Sequence, residues 1–205
     1  VADWRARGFE NARVAINVSV HQLLDNRFVE RLTEVLTRHQ LPGDAIELEL
    51  TETAFQTSST TVRALSRVRE GGVGLALDDF GTGYSSLTSL SRLPLRRVKI
   101  DQSLVVDVST SPRAESLARS IIGVCHNLGL GVTVEGIERP EQLIWLSGCG
   151  PVHAQGFLIA KPMAAAYVPG FARRSAQHLR ELLEGGAPGS GRRQAREAVV
   201  PFRRG

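Results

Sequence analysis

Residues 75–86, LALDDFGTGYSS, join an apolar run to two adjacent aspartates and a loop rich in glycine and hydroxyl residues. The apolar run is typical of a buried strand. Two neighbouring carboxylates, Asp78 and Asp79, repel each other and are costly to remove from water unless a cation lies between them. The stretch therefore predicts a strand whose end carries a cation-binding site.

Strand and helix patterns alternate along the rest of the chain. Short apolar or alternating runs predict six strands, at 14–19, 45–50, 73–77, 97–100, 131–134 and 155–159. Helical spacing of apolar residues predicts five helices, the first containing Phe28, Leu32, Val35 and Leu36 and the others at 60–70, 87–92, 112–128 and 140–146. Such alternation with short connections is typical of parallel β/α units. No G-x-G-x-x-G nucleotide fingerprint follows a strand.

Two of these helices have a predicted apolar face. The helix at 60–70 stacks Val62, Leu65 and Val68 on one side. The helix at 112–128 is predicted to turn inward the residues Leu117, Ile121, Val124 and Leu128, with Gly129 as its cap.

Each predicted strand ends in residues that can take part in chemistry. In chain order these are Asn17, Glu49 and Glu52, Asp78 and Asp79, Lys99 and Asp101, Glu135 and Glu138, and Gln155. In a (β/α) barrel the carboxyl ends of the strands converge on one mouth, where active sites lie. This layout favours a TIM-like barrel over a doubly wound sheet. Oxygen donors without His or Cys select a hard cation, so a pair of Mg²⁺ or Mn²⁺ ions is the expected partner of the two aspartates.

Some acidic residues keep a structural interpretation. Glu52 and Glu138 are interpreted as supporting groups behind the ligands. Glu47 alternates with Glu49 and is expected to face solvent. His153 is expected in a loop rather than as a metal ligand.

Lys99 is unusual because almost all of the basic residues of the chain are arginines. Of 25 basic residues only Lys99 and Lys161 are lysine. Lysine is a compact charge that can hold a water or a phosphate oxygen, whereas arginine is a larger planar fork. A lysine at a strand end is therefore a candidate catalytic group, with a chance salt bridge as the alternative.

Composition favours one globular domain in a reducing cytoplasm. The chain has 205 residues, 42% apolar and 22% charged, without an apolar run long enough for a membrane span. Its two cysteines do not form a disulfide framework, and Cys125 is predicted in the core. The net charge of +4 comes from residues 172–205, which hold eight Arg and three Glu and the linker sequence GGAPGSG. We expect a C-terminal helix and a solvated tail there rather than a site for duplex nucleic acid.

Six motifs together resemble EAL domains, the bacterial cyclic di-GMP phosphodiesterases with a TIM-barrel fold. They are NVSVHQL (17–23), ELTET (49–53), DDFGTGYSSL (78–87), LPLRRVKIDQSLV (93–105), VEGIE (134–138) and QGF (155–157), in the family's order. The resemblance covers residues 4 to 171, and we take 1–171 as the barrel portion and 172–205 as the tail.

The resemblance implies roles for matching residues. The implied metal-binding residues are Asn17, Glu49, Asp78 and Asp79. The implied catalytic residues are Lys99, which positions the attacking water, and Glu135, a metal-linked or general-base glutamate. Gln155 is implied near the substrate. Glu52 is implied to anchor a responsive loop at 81–86, with Glu138 as a further anchor. Two Mg²⁺ or Mn²⁺ ions would hold the water and the phosphate oxygens for in-line displacement, giving the linear dinucleotide pGpG.

This sequence also departs from the family pattern. The name-giving Glu-x-Leu does not precede the Asn17 segment, and six strands cannot close an eight-stranded barrel. No methionine begins the chain, so we expect it to be part of a longer product and inactive alone.

Three functions remain open from the sequence: a phosphodiesterase in its intact parent, a degenerate EAL domain that senses cyclic di-GMP or binds a protein, and an unrelated (β/α) metal hydrolase. Expected partners are cyclic di-GMP, a second copy, and upstream sensor or diguanylate cyclase domains.

Overall fold

Helices and strands alternate in the computed structural model, which describes residues 1–25, 27–51, 59–83, 90 and 93–185. The strands are β1 Val14–Asn17, β2 Ile46–Thr51, β3 Gly74–Phe80, β4 Arg97–Ile100, β5 Gly131–Val134 and β6 Val152–Ala154. The α-helices are α1 Ala2–Ala6, α2 Val20–Leu24, α3 Phe28–Arg38, α4 Ser59–Glu70, α5 Pro112–Asn127, α6 Pro140–Ser147 and α7 Val168–Gly185. Single 3₁₀ turns lie at Gly43–Ala45, Gln102–Leu104 and Ala165–Tyr167.

The strands form one six-stranded sheet in the order β1-β2-β3-β4-β5-β6. Pairing is parallel between β1 and β2, β2 and β3, and β5 and β6. Strand order that follows chain order, with helical connections, is the arrangement of a (β/α) barrel wall. The predicted α/β class and the six strands are confirmed.

The chain divides into two compact units, the first Val1–Arg97 and the second beginning at Val98. In the first unit the core contains Leu48 and Leu50 of β2, Leu75 of β3, and Leu65 and Val68 of α4, each 1% exposed or less. Strands this apolar are typical of parallel sheets that are covered on both faces. Two residues that follow the predicted helical spacing, Val35 of α3 and Val62 of α4, are 46% and 40% exposed.

Glu47 does not face solvent as expected. Its Oε1 lies 3.1 Å from Nε of Arg97, and both side chains are only 12% exposed. Between them in the sheet order lies β3, where the partner of Glu47 is Gly74. A Cβ on Gly74 would lie 3.3 Å from the Glu47 carboxylate, so the glycine leaves the space in which this acidic side chain reaches arginine.

In the second unit, α5 has clear signals at both ends. Ser111 accepts a hydrogen bond from the N–H of Ala114, and Pro112 occupies the first turn. At the other end, Gly129 has φ +71° and its N–H donates to the His126 carbonyl, while Leu130 N–H donates to the Cys125 carbonyl. This pair of bonds is a Schellman motif, and it confirms the predicted glycine cap.

The predicted inward face of α5 is wrong by one residue. The buried side chains are Ala118, Ile122 and Cys125, whereas Leu117 is 51% and Leu128 41% exposed. The buried side chains follow helical spacing but include a small Ala and a Cys. The prediction relied on the larger apolar residues one position earlier and therefore chose the wrong face. Cys125 in the core is confirmed, and neither cysteine forms a disulfide.

The last strand is also displaced from its predicted position. Strand β6 covers Val152–Ala154, so His153 lies in a strand and not in a loop. The stretch predicted as strand, 155–159, turns instead. The N–H groups of Ile159 and Ala160 both donate to the Gly156 carbonyl. A Cβ on Gly156 would collide with the backbone of Ile137, so the chain turns where only glycine fits.

Several predictions fall on residues that the structure does not describe. These are Glu52, most of the helix at 87–92, half of the loop at 81–86, and the tail from 186. The boundary at residue 171 stays a prediction. Among the described residues, the helices are too short or too polar to cross a bilayer.

Candidate metal and catalytic residues

Three candidate ligands lie at the carboxyl ends of neighbouring strands in the first unit. Asn17 is the last residue of β1 and pairs in register with Glu49 of β2. Asp78 of β3 pairs with Thr51, two residues beyond Glu49 along β2. Glu49 and Asp78 are buried, at 3% and 1% exposure, while Asn17 is exposed. Parallel pairing therefore brings these donors to the same edge of the sheet.

The two aspartates of β3 lie closer together than a regular strand allows. Adjacent side chains of a strand point to opposite faces. Asp79 has φ +56°, a left-handed conformation that aspartate tolerates better than most residues. One carboxylate oxygen of Asp78 and one of Asp79 lie within 4.8 Å of each other. The irregular backbone at Asp79 thus breaks the alternation and lets both carboxylates face one point.

Thr82 holds the turn that follows the aspartates. Its backbone N–H donates to the Asp79 carbonyl at 3.3 Å, and its hydroxyl donates to the same oxygen at 2.9 Å. Gly81, between them, has φ +106°. The glycine and threonine of the quoted loop therefore fix the backbone at Asp79.

In the second unit Lys99 and Glu135 form a buried ion pair. Nζ of Lys99 lies 2.7 Å from Oε1 of Glu135, and the two side chains are 2% and 11% exposed. Glu135 directly follows β5, and its N–H donates to the Ile100 carbonyl at 2.9 Å, beside Lys99 in β4. The sequence predicted both residues at strand ends but not their pairing, because the partners are 36 residues apart on different strands.

Gln155 directly follows β6 and is tied to the neighbouring strand end. Its N–H donates to the Val134 carbonyl at 2.8 Å, and its carbonyl accepts from the N–H of Ile137 at 3.0 Å. Glu138 is exposed, and its N–H donates to Oε1 of Gln142. The predicted substrate role of Gln155 and the anchoring role of Glu138 stay predictions, as does that of Glu52.

Asp101, predicted at the end of the fourth strand, accepts from the N–H of Ser103 and so caps a 3₁₀ turn after β4. Sequence reasoning missed Gln142, which is buried at 2% exposure. Pro140 as the first residue of α6 places Gln142 at the third, the position where Gln commonly reaches back to the chain before the helix. That signal could have found it.

The cysteines are poor candidates for chemistry. Burial raises the pKa of the Cys125 thiol to about 11. Burial also raises the pKa of Cys149, partly offset by the charge of Arg119. A reactive cysteine needs a lowered pKa, so both thiols stay protonated at neutral pH.

The donor chemistry fits a hard divalent cation. In the first unit, Glu49, Asp78 and Asp79 offer carboxylate oxygens and Asn17 offers an amide oxygen. Such oxygen sets bind Mg²⁺, Mn²⁺ or Ca²⁺ rather than softer metals. The paired aspartates in particular form an acidic site that a cation would stabilise.

Comparison with known protein families shows to which family the chain belongs. The model of the family described as "EAL domain" matches residues 1–162. The chain belongs to the EAL family. The expected resemblance is thereby confirmed, together with the fragment of a TIM-barrel fold that it implies.

The curated relatives of this EAL domain include cyclic di-GMP phosphodiesterases. Cyclic di-GMP phosphodiesterase PA2567 of Pseudomonas aeruginosa is 39% identical over 175 residues, which cover 85% of this chain and 30% of the relative. The chain thus spans under a third of that curated protein's length.

Solved structures agree with this relationship. "PaMucR Phosphodiesterase, c-di-GMP complex" has a TM-score of 0.74 and 32% identity, covering 82% of this chain and 68% of that one. Klebsiella pneumoniae BlrP1 was solved as complexes of cy-diGMP with manganese and with calcium. Each is 31% identical and covers 78% of this chain, with TM-scores of 0.71 and 0.70 over 42% and 41% of the BlrP1 chain.

Proposed function

We propose that this EAL domain, in its intact protein, hydrolyses cyclic di-GMP to linear pGpG with the help of two divalent cations. The observation that carries the proposal is the buried ion pair of Lys99 and Glu135. Burying two charges is costly and is seldom the most stabilising choice for a core. A pair kept 2.7 Å apart at two strand ends is therefore better explained by chemistry than by folding.

The metal-binding role is assigned to the oxygen donors of the first unit, with Glu135 as a further ligand or as general base. Asn17, Glu49, Asp78 and Asp79 would hold the cations. Bound cations of this kind neutralise phosphate charge and lower the pKa of water. Two arguments support the assignment: the register that aligns Asn17 with Glu49, and the turn at Asp79 that brings two carboxylates together.

Lys99 is assigned the orientation of the attacking water. An ammonium carries three N–H donors, so Lys99 can bind Glu135 and a water oxygen at the same time. Glu135 fixes the amine, and its second carboxylate oxygen can accept a proton from the water. Gln155, beside the same strand end, is assigned a contact with the substrate.

Hydrolysis of cyclic di-GMP in Mn²⁺ tests the proposal, with separation of the nucleotides by chromatography. We expect pGpG from the intact protein and a large loss in Glu135→Gln. The matched control is Glu115→Gln, an exposed glutamate of α5 paired with Arg119, which should keep full activity. Binding of cyclic di-GMP without any hydrolysis by the intact protein would instead support the sensor alternative. Equal activity of the two variants would remove Glu135 from the chemistry.

A further inference from the structure

Gln142 is a buried amide that holds a stretch of backbone in the second unit. Its Oε1 accepts from the N–H groups of Glu138 and Arg139, both at 3.0 Å. Its Nε2 donates to the carbonyl of Val105 at 3.1 Å and to that of Gly136 at 3.4 Å. Both N–H donors and both acceptor positions of the amide are thus used, which is what a side chain exposed by only 2% requires.

The backbone groups held by Gln142 follow the two residues of the ion pair. Gly136 comes directly after Glu135, at the end of β5. Val105 lies beyond the 3₁₀ turn that follows β4, the strand of Lys99. One amide therefore connects the chain that leaves β4 with the chain that leaves β5.

Gly136 shows that this connection has little freedom to move. It has φ +69°, and a Cβ there would collide with Cβ of Gln102. Ile137 is also fixed, since its N–H donates to the Gln155 carbonyl. A change in the bonds of Gln142 must then be taken up at Glu135, the residue at the start of the connection.

We propose that Gln142 is a positioning residue, whose amide fixes the chain after β5 so that Glu135 stays in contact with Lys99. Its importance for turnover rests on the proposed function. The contact itself can be measured without turnover, and the two ideas can therefore fail separately.

The lysine content of the chain allows a direct test. Lys99 and Lys161 are the two lysines in 205 residues, so labelled lysine gives two side-chain NMR signals, assigned with Lys161→Arg. In Gln142→Leu we expect the Lys99 signal to move away from its wild-type position while that of Lys161 stays. Gln142→Glu keeps an acceptor for the N–H groups of Glu138 and Arg139 but places a carboxylate oxygen against the carbonyls of Val105 and Gly136, so movement of the Lys99 signal is expected there too. A Lys99 signal at its wild-type position in both variants overturns the proposal.

Kinetics of the intact protein provide a second readout if that protein hydrolyses cyclic di-GMP. Displacement of a reacting group by about 1 Å can cost about 10²-fold in rate. We therefore expect Gln142→Leu to lose about 10²-fold in kcat per folded molecule, with little change in KM. Leu36→Ala, in α3, is the control for lost stability and should keep kcat per folded molecule. A loss in Gln142→Leu that only follows the folded fraction argues for a structural role and overturns the proposal.

Two further outcomes are also decided. If the intact wild-type protein does not hydrolyse cyclic di-GMP, the proposed function fails and the Lys99 signal of the 205-residue chain still decides the role of Gln142. If neither Gln142 variant folds, amide hydrogen exchange of the wild type decides it. Exchange at Glu138 and Arg139 as slow as at Ile137, whose N–H has a backbone acceptor, supports the proposal, whereas exchange at the rate of exposed turns overturns it.

Discussion

The buried ion pair of Lys99 and Glu135 makes a quantitative prediction about stability. The charged atoms are 2.7 Å apart, and the side chains are 2% and 11% exposed. With an effective dielectric constant of about 20, their attraction is about 6 kcal/mol before desolvation is counted. Removal of one partner leaves the other charge buried, which typically costs about 3–5 kcal/mol. We expect Lys99→Met to lower the free energy of unfolding by that amount.

A double-mutant cycle separates the pair from its surroundings. Glu135→Gln should also destabilise, but the double variant should lose less than the sum of the single losses, with a coupling energy of about 2–3 kcal/mol. Urea unfolding followed by circular dichroism, without divalent cations, measures all four proteins. Lys161→Met, at the other and exposed lysine, is the matched control and should change the stability by less than about 0.5 kcal/mol. A coupling energy below about 0.5 kcal/mol would refute the reasoning, because residues in real contact exceed it.

Three other outcomes are expected. Lys99→Arg keeps the charge but should lose about 10²-fold in turnover, because the larger guanidinium cannot place a water at the same point. That loss is an increase of about 2.7 kcal/mol in the activation free energy. Activity within about threefold of wild type contradicts this role. Asp78→Asn should weaken Mn²⁺ binding in calorimetry, and unchanged affinity would remove Asp78 from the site. Burial raises the pKa of the Cys125 thiol from its ordinary value of 9.0 to about 11, so the folded state keeps this proton as the pH rises. The free energy of unfolding should therefore fall between pH 9 and 11. The fall should be smaller in Cys125→Ala, and equal pH profiles of unfolding would show that the thiol does not contribute.

Much of the fold follows from local patterns. The strands Arg97–Ile100 and Gly131–Val134 have the predicted bounds, because each is a short apolar run next to a Pro or Gly signal. The cap of α5 was equally readable, since Gly129 stands where the helix must end. Local signals of this kind depend on a few neighbouring residues and survive folding unchanged.

What the sequence could not provide depends on contacts between distant segments. The burial of Glu47 needs both the space above Gly74 and a distant arginine, Arg97. The turn at Gly156 follows from the backbone of Ile137 lying against it. Neither contact has a signature in a short window, so alternation alone predicted a solvent-facing glutamate and a longer strand.

The candidate site likewise has features that local sequence patterns predict and features that they do not. The positions of Asp78, Lys99 and Glu135 at strand ends were predictable from the alternation of elements. The contact between Lys99 and Glu135 and the bonds of Gln142 were not, because they join separate strands and loops. The roles of these residues depend on the family resemblance and stay predictions.

The left-handed backbone at Asp79 limits which substitutions this position can accept. A glycine would relax the backbone but supply no oxygen, and a glutamate would keep the carboxylate on a backbone that longer side chains rarely adopt. Asparagine meets the conformational demand and retains one oxygen, at the loss of the charge. Position 79 thus has two separate requirements, a residue that tolerates a left-handed backbone and a negatively charged oxygen donor. Among the twenty amino acids, aspartate is the one that meets both.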